Sequence, residues 1–138
     1  MPHDLIFIPV ILQVLLTIIL YIKLAGAKKK ALAAGEVDLK RRGVYDDAWP
    51  VSVLKINNCI RSQFEVPVLF YTLIGTLWVL GGINDGTQII AWIYILSRYA
   101  HAYIHTGSNR MPHRLRFFMV GVFAVIALML KAVYAIAL

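Results

Sequence analysis

Two groups of side chains in this chain have the types and the spacing to do chemistry. The first is Asn58, Arg61 and Glu65; the second is Arg98, His101 and His105, with Tyr94 one turn earlier. Each group follows the i, i+3, i+7 pattern, which on a helix places side chains along one face within about 60°. Arg114 and Arg116 follow a short way downstream. The planar fork of an arginine is suited to carboxylates, and a glutamate can hold an ammonium group. Taken together, Arg61, Arg98 and Arg114 against Glu65 leave about two positive charges uncompensated, apart from what Asp38, Asp46 or Asp47 could supply. A small zwitterionic molecule of net negative charge fits such a set. A purely structural role is the alternative: Glu65 would neutralise Arg61 or Arg98, and the two histidines would bond to backbone carbonyls and lock the helices together.

The elements that must position these residues are set by composition. Of 138 residues, 60% are hydrophobic and 15% charged, against about 45–50% and 25% in a soluble domain. That excludes an ordinary soluble enzyme and leaves one membrane domain, 1–138. From Leu5 to Ile22 there is no charge, a run long enough to span a bilayer. Ala25-Gly26-Ala27 resembles a signal cleavage site, but the start, Pro2-His3-Asp4, lacks a basic region and the apolar run is too long for a signal peptide. A second uncharged run, Val66 to Ile83, extends backward through a more polar stretch of helical spacing to Trp49-Pro50, with the proline in the first turn. Pro67 frees a carbonyl and predicts a bend. The Gly81 to Gly86 segment reads as a turn. A third span follows with Arg98 and His101 inside it, closed by Thr106-Gly107-Ser108-Asn109, and a fourth runs from Pro112 onward, interrupted by Lys131. The expectation is an all-α integral membrane protein, a four-helix transmembrane bundle with helices at about 5–33, 49–80, 87–105 and 112–137.

Fourteen Lys and Arg against seven Asp and Glu give a formal charge of +7. The cations flank the apolar spans, so their first role is orientation and contact with membrane lipids, and no nucleic acid is implied. Lys28, Lys29, Lys30, Lys40, Arg41 and Arg42 lie between the first two spans, and Arg110, Arg114 and Arg116 between the last two; the intervening turn has no Lys or Arg. Both basic loops are therefore expected on the cytoplasmic side and both termini on the non-cytoplasmic side, which puts both polar stripes in the cytoplasmic half of the bilayer. Cys59 is the single cysteine, and no CxxC or Cys/His cluster offers a metal site. It reads as a small packing residue.

Asn58-Cys59-Ile60-Arg61-Ser62-Gln63-Phe64-Glu65-Val66-Pro67 resembles the second-helix signature of the MAPEG family, the membrane-associated proteins in eicosanoid and glutathione metabolism. Arg98-Tyr99-Ala100-His101, followed by Gly107, Arg110, Pro112 and Arg114, is similar to the family's motif between its third and fourth helices, and Lys28-Lys29-Lys30-Ala31-Leu32-Ala33 to the basic end of its first helix. The resemblance covers essentially the whole chain. It implies a homotrimer that binds glutathione between neighbouring subunits near the cytoplasmic face. Carried over by position, it implies glutathione contacts at Arg61, Glu65, His101 and His105, with Asn58 and Arg98 on the same polar stripes. Arg114 falls on the arginine that stabilises the glutathione thiolate in several members, and so becomes the catalytic candidate. A first-helix arginine of the family falls near Gly26, so Lys23 or Lys28 would have to take its place. Ser62 stands where many members have Asn, His105 where they usually have Tyr, and Leu115 where some synthases have Ser. The implied function is a glutathione-dependent membrane transferase or peroxidase with glutathione as co-substrate and a lipophilic electrophile or lipid as partner. Some members are instead non-catalytic lipid-binding scaffolds, which is the alternative.

Overall fold

A computed structural model describes residues 2–138. A short 3-10 turn, His3–Ile6, leads into α1, Phe7–Ala33. A loop with its own 3-10 turn at Asp46–Ala48 connects to α2, Val51–Ser62, and α3, Val66–Val79. Then come α4, Asp85–Thr106, and α5, Met111–Ala137. These make four helical columns, because α2 and α3 together form one.

The punctuation follows from local chemistry. After α1, Gly35 has φ +70°, with Gly35 N–H bonded to Leu32 O and Glu36 N–H to Ala31 O. After α3, Gly81 repeats this at φ +70°, with Gly81 N–H on Trp78 O and Gly82 N–H on Leu77 O. Both are Schellman closures, which satisfy the last carbonyls of a helix and need a left-handed residue, at little cost only for glycine. Asn84 starts α4 by accepting the Thr87 N–H at 3.0 Å on its side-chain oxygen. Proline stands in the first turn of both α3 and α5, where its missing N–H costs nothing.

The second column, expected as one helix over 49–80, is broken. Hydrogen bonding gives way to a turn at Gln63–Phe64, and Glu65 sits at φ −104°, ψ −97°, outside helical values. The cause is Pro67. In a continuous helix its ring would clash with the carbonyl of Gln63, four residues back, and it has no N–H to bond there, so α2 ends and α3 restarts at Val66 after Glu65 leaves helical values.

At the centre of the packing, α4 lies against α1, α2 and α5. One apolar cluster centres on Phe70, Ile74, Tyr94 and Leu128, with the Phe70 and Tyr94 rings stacked at 4.1 Å. Another joins Leu16, Leu20, Ile56, Cys59, Ile60 and Ala102. Gly121 lets α5 approach α4 closely, since a Cβ there would lie 3.3 Å from Ser97 Oγ and 3.8 Å from Arg98 Cδ. The outward faces of α1 and α5 are apolar, with Ile11, Ile18, Ile22, Phe123, Leu130 and Val133 exposed. His3–Ala33 and Met111–Ala137 are each long and apolar enough to cross a membrane. Most of the buried polar side chains, Gln63, Thr87, Gln88, Ser97, Arg98 and His101, belong to the other two columns.

Candidate functional site

The break in the second column is where the polar chemistry gathers. Gln63, one turn beyond the buried Cys59 on the inward face of α2, is itself buried, and Gln13 of α1 donates to its side-chain oxygen at 2.8 Å. Gln63 Nε2 donates to Cys59 O at 3.0 Å and to Ser62 Oγ at 3.3 Å. Ser62 Oγ in turn accepts Arg98 Nη2 at 3.1 Å. A chain of side-chain bonds thus runs from α1 through the break to α4.

Arg98 is 1% exposed, and no carboxylate lies within ion-pair distance of it among the described residues. Its Nε has no partner among those residues, and neither has the buried Tyr94 hydroxyl beside it. A buried guanidinium held by one neutral hydroxyl is costly at membrane depth, where such groups need a partner, water or a purpose.

Beyond Ser62 the surface opens into a cleft of about 230 Å³ lined by Ser62, His101, His105, Met111, Arg114 and Phe118. His101 and His105 lie one turn apart on α4 with ring centroids at 5.4 Å, and His101 tilts against Phe118 at 5.9 Å. The Nδ1 atoms of both histidines are buried without a partner among the described residues. Arg114 enters from the second turn of α5. Its Nη1 donates to Asn109 Oδ1 at 2.8 Å and its Nη2 to Met111 Sδ at 2.7 Å. Asn109 holds φ +52° in the turn that feeds α5, a left-handed conformation asparagine tolerates.

Four of the residues singled out by spacing or motif therefore meet here: His101, His105 and Arg114 in the wall, with Arg98 directly behind Ser62. The others do not. Asn58 and Arg61 are exposed on α2, and Arg61 Nη2 pairs with Asp46 of the preceding loop at 3.0 Å. Glu65 is exposed at the break and makes no ion pair with either arginine among the described residues. The expected Glu65–Arg61 pairing fails because one-turn spacing does not survive the loss of the helix between them. Lys28 lies over the Trp49 ring at 4.8 Å, and Lys23 donates to Thr106 Oγ1 at 3.2 Å, so neither first-helix lysine enters the cleft.

A family model described as the MAPEG family matches residues 6–134. This chain belongs to the MAPEG family. It is accordingly an integral membrane protein with the four-helix bundle of that family. No curated protein and no solved structure matches it. MAPEG members include glutathione transferases and peroxidases as well as non-catalytic proteins.

Sequence reading missed Gln13 and Gln63. Gln13 registered only as a polar interruption of the first span, and Gln63 lies off the stripe that Asn58, Arg61 and Glu65 would share on an unbroken helix. The usable signal was the pair of glutamines themselves, since an amide at membrane depth needs a partner.

Proposed function

We propose that this MAPEG chain binds glutathione at the Ser62–His101–His105–Arg114 cleft and promotes attack of its sulfur on a lipophilic electrophile, by conjugation or peroxide reduction. The observation that carries this reading is Arg98, a buried guanidinium with no carboxylate at ion-pair distance among the described residues, one wall away from a cleft whose own charged group is Arg114. Two guanidiniums and two neutral-capable imidazoles suit a ligand carrying carboxylates and an ionisable thiol.

A free thiol ionises near pH 8.5, so most of it is unreactive at neutral pH, and a guanidinium beside the sulfur favours the thiolate that attacks. Arg114 is our candidate for that role. It lies at the N-terminal end of α5, where the helix dipole also favours an anion, and it is only partly buried. The apolar co-substrate would reach the cleft from the bilayer past Leu115 and Phe118, and the tripeptide from the polar side.

At about 230 Å³ the cleft of one chain is smaller than the roughly 300–1,000 Å³ of typical ligand pockets. A homotrimer would complete it, with a neighbouring copy facing the exposed Asn58 and Arg61 of α2 and Glu65 at the break. In that arrangement Glu65 would accept the ammonium of glutathione, and Lys28 would contribute from the neighbour's first helix. Both basic loops are assigned to the cytoplasm and both termini to the opposite side.

A non-catalytic lipid-binding scaffold is the second reading. One feature favours it: both terminal nitrogens of Arg114 are already engaged within its own turn and helix. The test is conjugation itself. Protein in liposomes, given glutathione and a lipophilic aryl halide, should form the thioether above the uncatalysed rate, and loss of that excess in Arg114→Ala supports the assignment. Tight glutathione binding with no thioether formed from any of several electrophile classes would favour the scaffold.

A further inference from the structure

At the basic end of the bundle, on the side away from the Arg114 cleft, the grooves beside α1 join two kinds of surface. The lower part is a trough of about 200 Å³ between α1 and α4, walled by Leu16, Ile19, Ala102 and Tyr103. Lys23 and Thr106 stand at its upper end. Thr106 is shared with a wider, polar cleft of about 440 Å³ between the ends of α1, α2 and α4, where Lys30, Lys55, Ser52 and Glu36 line the wall.

Capping of α4 accounts for part of this. Lys55 Nζ donates to Gly107 O at 2.9 Å and Lys23 to Thr106 Oγ1 at 3.2 Å, so both serve the helix C-terminus. A helix dipole supplies about half a negative charge there, and Glu36 supplies one more. Three lysines exceed that by about one and a half charges, and the Lys30 ammonium has no hydrogen bond or ion pair among the described residues.

Depth matches this division. At 27 residues, α1 is about 40 Å long, while the hydrocarbon core is about 30 Å thick. The last turns of α1, with Lys30, therefore stand at headgroup level, and Leu16 to Lys23 lies within the adjoining leaflet. Tyr103, three residues before the end of α4, is exposed near the boundary, as interfacial aromatics are.

We infer that this groove holds one anionic phospholipid, with its headgroup phosphate on Lys23, Lys30 and Lys55 and one acyl chain in the trough below. The site is separate from the glutathione cleft and does not depend on it. The charge selects an anionic headgroup, and the continuous apolar floor selects a lipid over free phosphate. A lysine beside an anionic surface is worth about fivefold in binding, so removing two should cost roughly twentyfold.

The test uses the full chain in nanodiscs of phosphatidylcholine with one-fifth phosphatidylglycerol, extracted gently and weighed by native mass spectrometry. The expected result is preferential retention of phosphatidylglycerol, reduced several-fold in Lys30→Gln and about twentyfold in the Lys30→Gln/Lys55→Gln double variant, with Lys131→Gln at the opposite end unchanged. Because the Lys30 ammonium bonds to nothing among the described residues, its variant separates lipid binding from folding. Ile19→Trp, which fills the trough, should reduce retention without touching a lysine. Equal retention of both lipids, or lysine variants that behave like the parent, would overturn the inference. Displacement of the lipid by millimolar inorganic phosphate would also overturn it, by showing a site for free anions.

Discussion

Arg114 and Glu65 are asked to do different things, and their variants should fail differently. If Arg114 steadies the thiolate, Arg114→Ala should lower turnover more than it weakens glutathione binding, whereas a residue that only marks the membrane boundary would tolerate Arg114→Lys in every assay. Comparing steady-state kinetics with calorimetric binding for the two variants separates these roles. Glu65 is exposed and free of Arg61, so Glu65→Gln should weaken glutathione binding by about 1–3 kcal/mol, one charge-assisted hydrogen bond, with little effect on turnover at saturation. Unchanged binding would remove it from the site. Asp46 has taken the partner expected for Glu65, yet both members of that pair are largely exposed. Asp46→Asn should therefore change stability by no more than about 1 kcal/mol. His101, His105 and Arg114 were legible because spacing and motif there run along uninterrupted helices. The Arg61–Glu65 relation was not, because it crosses a break whose extent only packing could decide.

At the scale of elements, the break between α2 and α3 is held open by the amides that fill it. Gln13→Leu or Gln63→Leu leaves a buried amide without its partner and should cost about 1–3 kcal/mol each. The double variant replaces both partners by apolar groups and should cost clearly less than the sum. Denaturant titration in detergent micelles would measure the cycle, and strict additivity would show that the bond between α1 and the break contributes nothing. Because Gln63 also bonds Ser62, which holds Arg98, the same variants should loosen the cleft wall. Four columns and the turn that begins at Gly81 could be read from charge-free runs and turn chemistry, whereas the part Gly35 plays in closing α1 emerged only from its backbone geometry. That the second column is two helices could be read only as a bend at Pro67, since proline marks where a helix is weakened but not which inward-turning residue stabilises the gap.

The whole molecule is a MAPEG membrane bundle whose Lys and Arg residues, Lys131 apart, gather at one end. Single cysteines placed at Asn84 and Ala34 should be labelled from opposite sides of the membrane, and labelling from the same side would defeat the assigned topology. Mass measurement of the detergent-solubilised protein should give three chains; a monomer that still binds glutathione would mean that one chain completes the cleft. Hydropathy and the basic loops carried the architecture because the bilayer imposes them on any sequence. The second substrate leaves no such trace, since an exposed Phe117 or Phe123 is the same residue type whether it meets lipid or a substrate. The most direct measurement is the ultraviolet absorbance of bound thiolate as purified protein is titrated with glutathione at neutral pH. A saturable thiolate band, lost in Arg114→Ala while the oligomer persists, is the expected result; saturable glutathione binding without that band, or no binding, would contradict an active glutathione site at this cleft.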